Sequence, residues 1–114
     1  MDHINIEEIM DEAILNLKAE MLKVLAQPTR LKILETLRSG EKCICEIVPA
    51  VHGEQSNISR HISLMEKAYL VTTRKEGVRV FVKVKDPEIF DLLDRVRAIL
   101  KKQMKEQEKL LAQI

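Results

Sequence analysis

The stretch QSNISRHISLMEKAYLVTTRKEGVRVFVKVK, Gln55–Lys85, changes its periodicity halfway along and thereby decides the fold. Its first half repeats apolar residues every three or four positions, which predicts an amphipathic helix with Ser56 as the N-cap. Its second half contains two β-branched runs that meet at Glu76-Gly77, a pattern typical of a hairpin. A helix followed at once by a two-stranded hairpin is therefore the predicted centre of the molecule.

Helical patterns surround this centre on both sides. A first helix is predicted over about 5–26, because Asn5 followed by Glu8 resembles a capping box. A second helix begins at Pro28, and KCICEIVPAV is a short third. After the hairpin, Asp86-Pro87 predicts the N-cap and first residue of a last helix that covers about 87–112. The chain is thus expected to be mainly α with a two-stranded β-hairpin, in the α-α-α-α-β-β-α order of a winged helix-turn-helix.

Composition limits the classes of protein that fit this chain. Its 114 residues, 46% of them hydrophobic, suit one domain over 1–114 with one core. It has no apolar run near the roughly 18 residues that span a bilayer, and its acidic start is unlike a signal peptide. We therefore expect a cytoplasmic protein without a membrane partner. The sequence also has no Cys-x-x-Cys, cofactor loop or evident base for its thiols, so we do not expect an enzyme.

Charge is spread unevenly, although the net charge is only +1. Residues 54–85 carry seven basic groups against three glutamates, a local excess of +4. Residues 1–20 are acidic instead, with six carboxylates against one lysine. A basic region of this kind suits a phosphate-facing surface, and a solvated charged face is the alternative.

Three segments together resemble the ArsR/SmtB-type winged-helix metalloregulatory repressors, in particular the arsenic-responsive type. They are LAQPTRLKILETL, CICEIV and QSNISRHISLMEKAYLV, and the resemblance covers about residues 22–85. It implies a helix-turn-helix over about 43–67, a wing over about 69–85, and dimerisation through the helices at about 5–26 and 87–112. It further implies a homodimeric repressor on double-stranded operator DNA with an inverted repeat.

The segment QSNISRHISLMEKAYLV, which corresponds to the recognition helix of that family and the start of its wing, has residues that agree with a DNA-binding role. A helix in the major groove needs short donors and acceptors near its N-terminus and a long cation. His61 borders the apolar face, so a packed histidine remains as plausible as a DNA contact. Basic residues beside the hairpin turn could reach phosphates, although they are common on any exposed hairpin. The predicted DNA-binding residues are Gln55, Ser56, Asn57, Ser59, Arg60, His61, Arg74, Lys75 and Arg79.

The two cysteines, Cys43 and Cys45, are expected to be reduced thiols in a cytoplasmic protein. In the resembling repressors a Cys-x-Cys at this place binds arsenite or antimonite, and thiolates favour such soft ions. Residues i and i+2 of a regular helix point about 200° apart, so ion binding is predicted to require local unwinding. A third cysteine often follows in that family. Val48 stands there, which leaves His3 as a third-ligand candidate.

Several alternatives remain open at the level of sequence. The same DNA-binding repressor could sense cadmium, lead or thiol oxidation, or the chain could be a non-sensing winged-helix interaction module. A small thiol oxidoreductase that uses Cys43 as nucleophile is a further, enzymatic class. A metal site on the last helix is not expected, because its aspartates lack an accompanying histidine. No cofactor is predicted for DNA binding itself.

Overall fold

The structure, a computed structural model, describes residues 4–114. Its elements are five helices, three strands and one 3₁₀ turn within that range. The helices are α1 Ile6–Leu25, α2 Pro28–Thr36, α3 Ile44–Ala50, α4 Gln55–Lys67 and α5 Glu88–Ala112. The strands are β1 Lys42–Cys43, β2 Val71–Glu76 and β3 Arg79–Val84, and the 3₁₀ turn Leu37–Ser39 follows α2. The order is that of the predicted winged helix-turn-helix, with one strand more than expected.

The helix starts show how far the capping signals predict structure. Asn5 caps α1 as expected, and its Oδ1 accepts a hydrogen bond from the Glu7 amide at 3.0 Å. Ser56 was wrongly expected to cap α4, which begins one residue before it, with Glu54 in the N-cap position. α5 begins one residue after Pro87, yet the Asp86 carboxylate still accepts the Glu88 amide at 2.9 Å.

The sheet contains the expected hairpin and an additional strand. β2 and β3 pair antiparallel, with Glu76 opposite Arg79, so Gly77 and Val78 form a two-residue turn. Gly77 has φ +61°, a conformation that glycine adopts at little cost. The short β1 pairs antiparallel with β3, which gives the order β1-β3-β2 within residues 4–114. The sheet is therefore three-stranded rather than two-stranded.

The core lies between α2, α3, α4 and the sheet. Its fully buried side chains are Ile33, Leu34, Ile47, Ile58, Met65, Leu70, Val71 and Val82. Gly53 lies in the turn between α3 and α4, where an added Cβ would be 2.7 Å from Cδ1 of Ile58. The turn therefore packs directly against α4.

The two long helices extend away from this core. Within Ile6–Leu25 the buried residue is Leu25, and within Glu88–Ala112 it is Ile89. The radius of gyration is 18.8 Å, whereas a compact chain of this length would have about 13 Å. In the described part of the chain, no helix has the length and apolarity needed to cross a membrane.

Candidate nucleic-acid interface and cysteine site

α4 has one buried face and one exposed polar face. Ile58, Ile62 and Met65 are buried, as the periodicity predicts. The exposed side carries Gln55, Ser56 and Arg60, while Asn57 and Ser59 are half-buried at its border. An Nη2 hydrogen of Arg60 is donated to Oδ1 of Asn57 at 3.0 Å, which orients the guanidinium along the helix surface. The face thus presents the short polar groups and the long cation that reading of base edges requires.

His61 does not belong to that exposed face. It is 7% exposed, and its Nδ1 accepts a hydrogen bond from Nε of Arg30 at 3.1 Å. Burial lowers the pKa of His61 below its ordinary value, and the charges of Arg30 and Arg60 lower that pKa further. His61 is therefore packed against α2 in this structure, which favours the packed alternative, and its contact with DNA stays a prediction.

Arg30 connects three helices at this point. It belongs to α2, donates to His61 on α4, and donates through Nη1 to the carbonyl oxygen of Val24 near the end of α1 at 3.1 Å. Through Arg30, the recognition helix α4 is thus linked to α1, the long helix that extends away from the core. No role was predicted from the sequence for Arg30, the third residue of the Pro28-Thr29-Arg30 start of α2.

The three predicted phosphate-binding residues of the wing differ in how they are engaged within the protein. Lys75 and Arg79 are exposed near the hairpin turn, where phosphates could approach. Arg74 is engaged within the protein, because its guanidinium donates to the carboxylates of Glu41 and Glu76 and stacks on Phe81. Arg74 also lowers the pKa of Glu41 through these hydrogen bonds. Nothing in the sequence pattern points to Glu41, which lies 33 positions from its partner.

The two cysteines lie at the junction of a strand and a helix. Cys43 ends β1 and is also the N-cap of α3, with φ −67° and ψ 145°, while Cys45 occupies the first turn of that helix. Their Cα atoms are 5.0 Å apart and the structure joins their sulfurs as a disulfide. The Cys43 sulfur accepts the amide of Cys45 at 3.1 Å, and the Cys43 amide donates to Glu46 at 3.2 Å.

This geometry corrects one prediction. The two cysteine side chains were expected to point about 200° apart, so that an ion could join them only after the helix unwinds. The expectation fails because Cys43 lies before the helix, where extended backbone turns its side chain back over the first turn. The two sulfurs therefore meet with every turn of α3 intact. Cys43 is 2% exposed, and Cys45 is exposed.

The described residues bring no third ligand from the same chain to this pair. Val48 lies half-buried on α3 and offers no donor atom. His3, the predicted third-ligand candidate, lies outside the described residues. Within residues 4–114, no group of three histidine, cysteine, aspartate or glutamate side chains is arranged to hold a metal ion. Within the described residues, the two cysteine sulfurs are thus the candidate metal ligands that lie together.

The long helices expose apolar side chains that a single chain leaves uncovered. A cavity of about 470 Å³ lies between the end of α1, α2 and α5, lined among others by Leu25, Leu31 and Val96. The exposed apolar residues of α1 are Ile6, Ile9, Met10, Ile14, Leu15, Leu17, Met21 and Leu22. Those of α5 are Leu92, Val96, Ile99, Leu100, Met104, Leu110 and Leu111. Apolar surface of this extent marks an interaction face.

Known proteins resemble both the sequence and the fold. A family model described as a bacterial regulatory protein of the arsR family matches residues 27–73. An uncharacterised helix-turn-helix transcriptional regulator of Methanocaldococcus jannaschii is 38% identical over 84 residues, which are 73% of this chain and 86% of that protein. The arsenical resistance operon repressor of Staphylococcus aureus is 30% identical over 79 residues, 69% of this chain and 76% of that protein.

A solved structure is similar over nearly the whole chain. It is the solution NMR structure of a homodimeric winged helix-turn-helix DNA-binding domain from Mycobacterium bovis, with a TM-score of 0.77 and 24% identity. The match covers 93% of this chain and 95% of the other. At that identity the likeness shows the fold, which is a winged helix-turn-helix.

Proposed function

The chain belongs to the ArsR family of bacterial regulatory proteins, and on that premise we propose that it is a homodimeric repressor released from operator DNA by arsenite or antimonite. The family consists of transcriptional regulators rather than enzymes. The single observation that carries the DNA-binding part is the two-faced recognition helix. Its inner side is locked into the core, and its outer side offers Gln55, Ser56 and Arg60 to solvent.

The proposed DNA-binding surface combines α4 with the tip of the wing. Gln55, Ser56, Asn57, Ser59 and Arg60 would enter the major groove and read base edges. On the wing, Lys75 and Arg79 would contact phosphates, which position a protein without specifying sequence. We retain Arg74 as a phosphate contact only on condition that it leaves Glu41, and His61 only on condition that it leaves Arg30.

A homodimer is the best account of the uncovered helices. The apolar faces of α1 and α5 are too extensive for the core of one chain, and the radius of gyration exceeds the compact value by several ångströms. A twofold dimer would present two recognition helices to an inverted repeat whose half-sites lie about one helical turn apart. The proposed segments are those predicted: about 5–26 and 87–112 for dimerisation, 43–67 for the helix-turn-helix and 69–85 for the wing.

The proposed effector site is Cys43 with Cys45 in the reduced state. Two thiolates at this spacing form a chelate that suits As(III) or Sb(III), whose third coordination position would be filled from outside the described residues. Cys45 is exposed and gives an ion access to the buried Cys43. The similarity to an arsenical resistance operon repressor supports this choice over cadmium or lead.

Thiol oxidation is a second candidate signal, because the structure joins the two sulfurs. An oxidant such as hydrogen peroxide would convert the two thiols to one disulfide, with two electrons and two protons passing to the peroxide to give water. The DNA-binding surface and the dimer would be the same in both cases. The signals differ in that arsenite requires the reduced pair and leaves its oxidation state unchanged.

The test measures binding of the reduced protein to an operator selected from random duplexes, with and without arsenite. We expect arsenite to weaken operator binding by about tenfold or more in the parent protein, a coupling within the usual allosteric range. Cys43→Ser and Cys45→Ser should bind the operator without responding to arsenite. Ser63→Ala, on the exposed side of α4 and outside the predicted contacts, is the matched control and should respond as the parent does.

Two outcomes separate the candidates. Release of Cys43→Ser by arsenite as readily as the parent would disprove the sensor site. If arsenite has no effect on the parent but peroxide releases it, and a thiol reductant restores binding, the signal is oxidation.

A further inference from the structure

We infer that Glu41 is a positioning residue that ties the wing to the cysteine segment through Arg74. This inference rests on the proposed function, since it names the route by which the state of Cys43 reaches a DNA-contacting element. It concerns a residue outside both the cysteine pair and the recognition helix.

The ion pair between Glu41 and Arg74 is unusually complete for a surface contact. The Glu41 carboxylate accepts from Nη2 of Arg74 at 2.7 Å and from Nε at 3.0 Å. Nη1 of the same guanidinium donates to Glu76 at 2.8 Å, and its central carbon lies 4.4 Å from the ring centre of Phe81. Isolated surface ion pairs contribute little, whereas a forked arginine fixed by several partners has a defined geometry.

These contacts run across the sheet in one row. Cys43 of β1 is opposite Phe81 of β3, and Phe81 is opposite Arg74 of β2. Glu41 immediately precedes β1 and bridges over the central strand to Arg74 on the far one. The contact of Glu41 with Arg74 thus links the segment that contains β1 to β2, although the backbones of β1 and β2 do not pair.

The location of Glu41 makes this row sensitive to the cysteine segment. Glu41 lies two residues before Cys43 and immediately before β1. β1 consists of Lys42 and Cys43 only, and it is held to β3 by two residue pairs. A segment with so few backbone contacts opens at low free energy. Any rearrangement that draws Cys43 away from Phe81 also moves Glu41, and Arg74 then loses its main partner. The wing strand changes its position and its exposed charge together.

The experiment compares Glu41→Gln with Glu76→Gln as matched control. Both variants remove one carboxylate from Arg74, but Glu76 lies on the same strand as Arg74 and has no connection to β1. The measured quantity is the factor by which arsenite raises the operator Kd of the reduced protein. We expect this factor to fall about fivefold or more in Glu41→Gln and to stay at the parent value in Glu76→Gln. Arsenite uptake, followed by titration of the remaining thiols, should be equal in all three proteins.

A second measurement keeps the inference separate from the proposed function. Hydrogen exchange of 71–84 is recorded for the reduced parent and both variants without arsenite or DNA. Faster exchange there in Glu41→Gln than in Glu76→Gln supports the tie even if arsenite leaves parental operator binding unchanged, a result that would overturn the proposed effector alone. If arsenite weakens operator binding of the parent, an equal arsenite factor in Glu41→Gln would overturn the inference. Equal exchange in both variants would overturn it whatever arsenite does.

Discussion

The central body, residues 28–84, and the two long helices α1 and α5 differ in how their apolar residues are used. α4 buries four of its thirteen residues, whereas α1 buries one of twenty and α5 one of twenty-five. Both kinds of helix nevertheless carry apolar residues at helical spacing. Helices in water derive most of their stability from packing of an apolar face. The body obtains that packing within one chain, whereas the long helices would obtain it in the proposed homodimer.

The comparison is tested most severely by placing a charge on the uncovered face of α5. Ile99→Glu should prevent association, because a carboxylate would lie inside the proposed interface. Loss of one of two linked half-site contacts should weaken operator binding between about 100-fold and 10,000-fold. Sedimentation equilibrium and operator titration measure the two effects.

Ile114→Glu is the control for that experiment. It makes the same exchange at a residue that is fully exposed beyond the last turn of α5. We expect this variant to remain dimeric and to bind DNA as the parent does. A dimeric Ile99→Glu protein would show that α5 is not the interface, and the contrast between body and long helices would then need another explanation.

A milder pair of variants sharpens the same contrast. Ile33→Val removes one buried methylene from the body and should lower the free energy of unfolding by about 1 kcal/mol at every protein concentration. Ile99→Val removes the same group from α5, and its effect should disappear at concentrations too low for dimers. Denaturant unfolding over a hundredfold dilution series distinguishes them. Equal effects of both variants in the dilute monomer would contradict the contrast.

The smallest expected effect concerns pH and the joint between body and α1. Neutral His61 accepts from Arg30, and burial keeps the pKa of His61 below its ordinary value of about 6.5. The unfolded chain therefore binds a proton on this group at a higher pH than the folded chain does. Stability should be full above about pH 6.5 and decline as the pH falls below it, by less than the loss in Ile33→Val.

Unfolding of His61→Gln at pH 7.5 and 5.5 checks this expectation. Glutamine can accept the Arg30 hydrogen bond through its side-chain oxygen and does not titrate, so the decline should be reduced. His52→Gln, at an exposed position, should keep the parental decline. An unchanged decline in His61→Gln would assign it to other groups.

Sequence reasoning predicted the elements whose signal is local. The switch from helical to alternating periodicity located α4 and the hairpin, and the capping pattern at Asn5 located the start of α1. β1 was missed because two residues carry no periodicity and become a strand only by pairing with β3, almost 40 positions away. The placement of Cys43 depends on that strand, so its geometry was mispredicted with it.

The candidate DNA-binding residues also differ in whether a local sequence signal or a long-range contact determines their position. Arg60 and its neighbours follow from their angle around the helix, which the sequence specifies directly. The partners of His61 and Arg74 are 31 and 33 positions away, and no local pattern predicts such contacts. For side chains at the border of a helix face or on the wing, the contacts could therefore be identified only from the structure.

The division of α4 into two faces also bears on how such a regulator could diversify. Ile58, Ile62 and Met65 hold the helix in the core, whereas Arg60 and Gln55 take no part in the core packing. If α4 reads the operator as proposed, exchange of these exposed side chains would change the operator preference at little cost to folding. Gly53 lacks that freedom, because a side chain there would collide with Ile58. On the proposed function, new DNA specificities would be accessible to this fold in small steps, provided that the turn before α4 keeps Gly53.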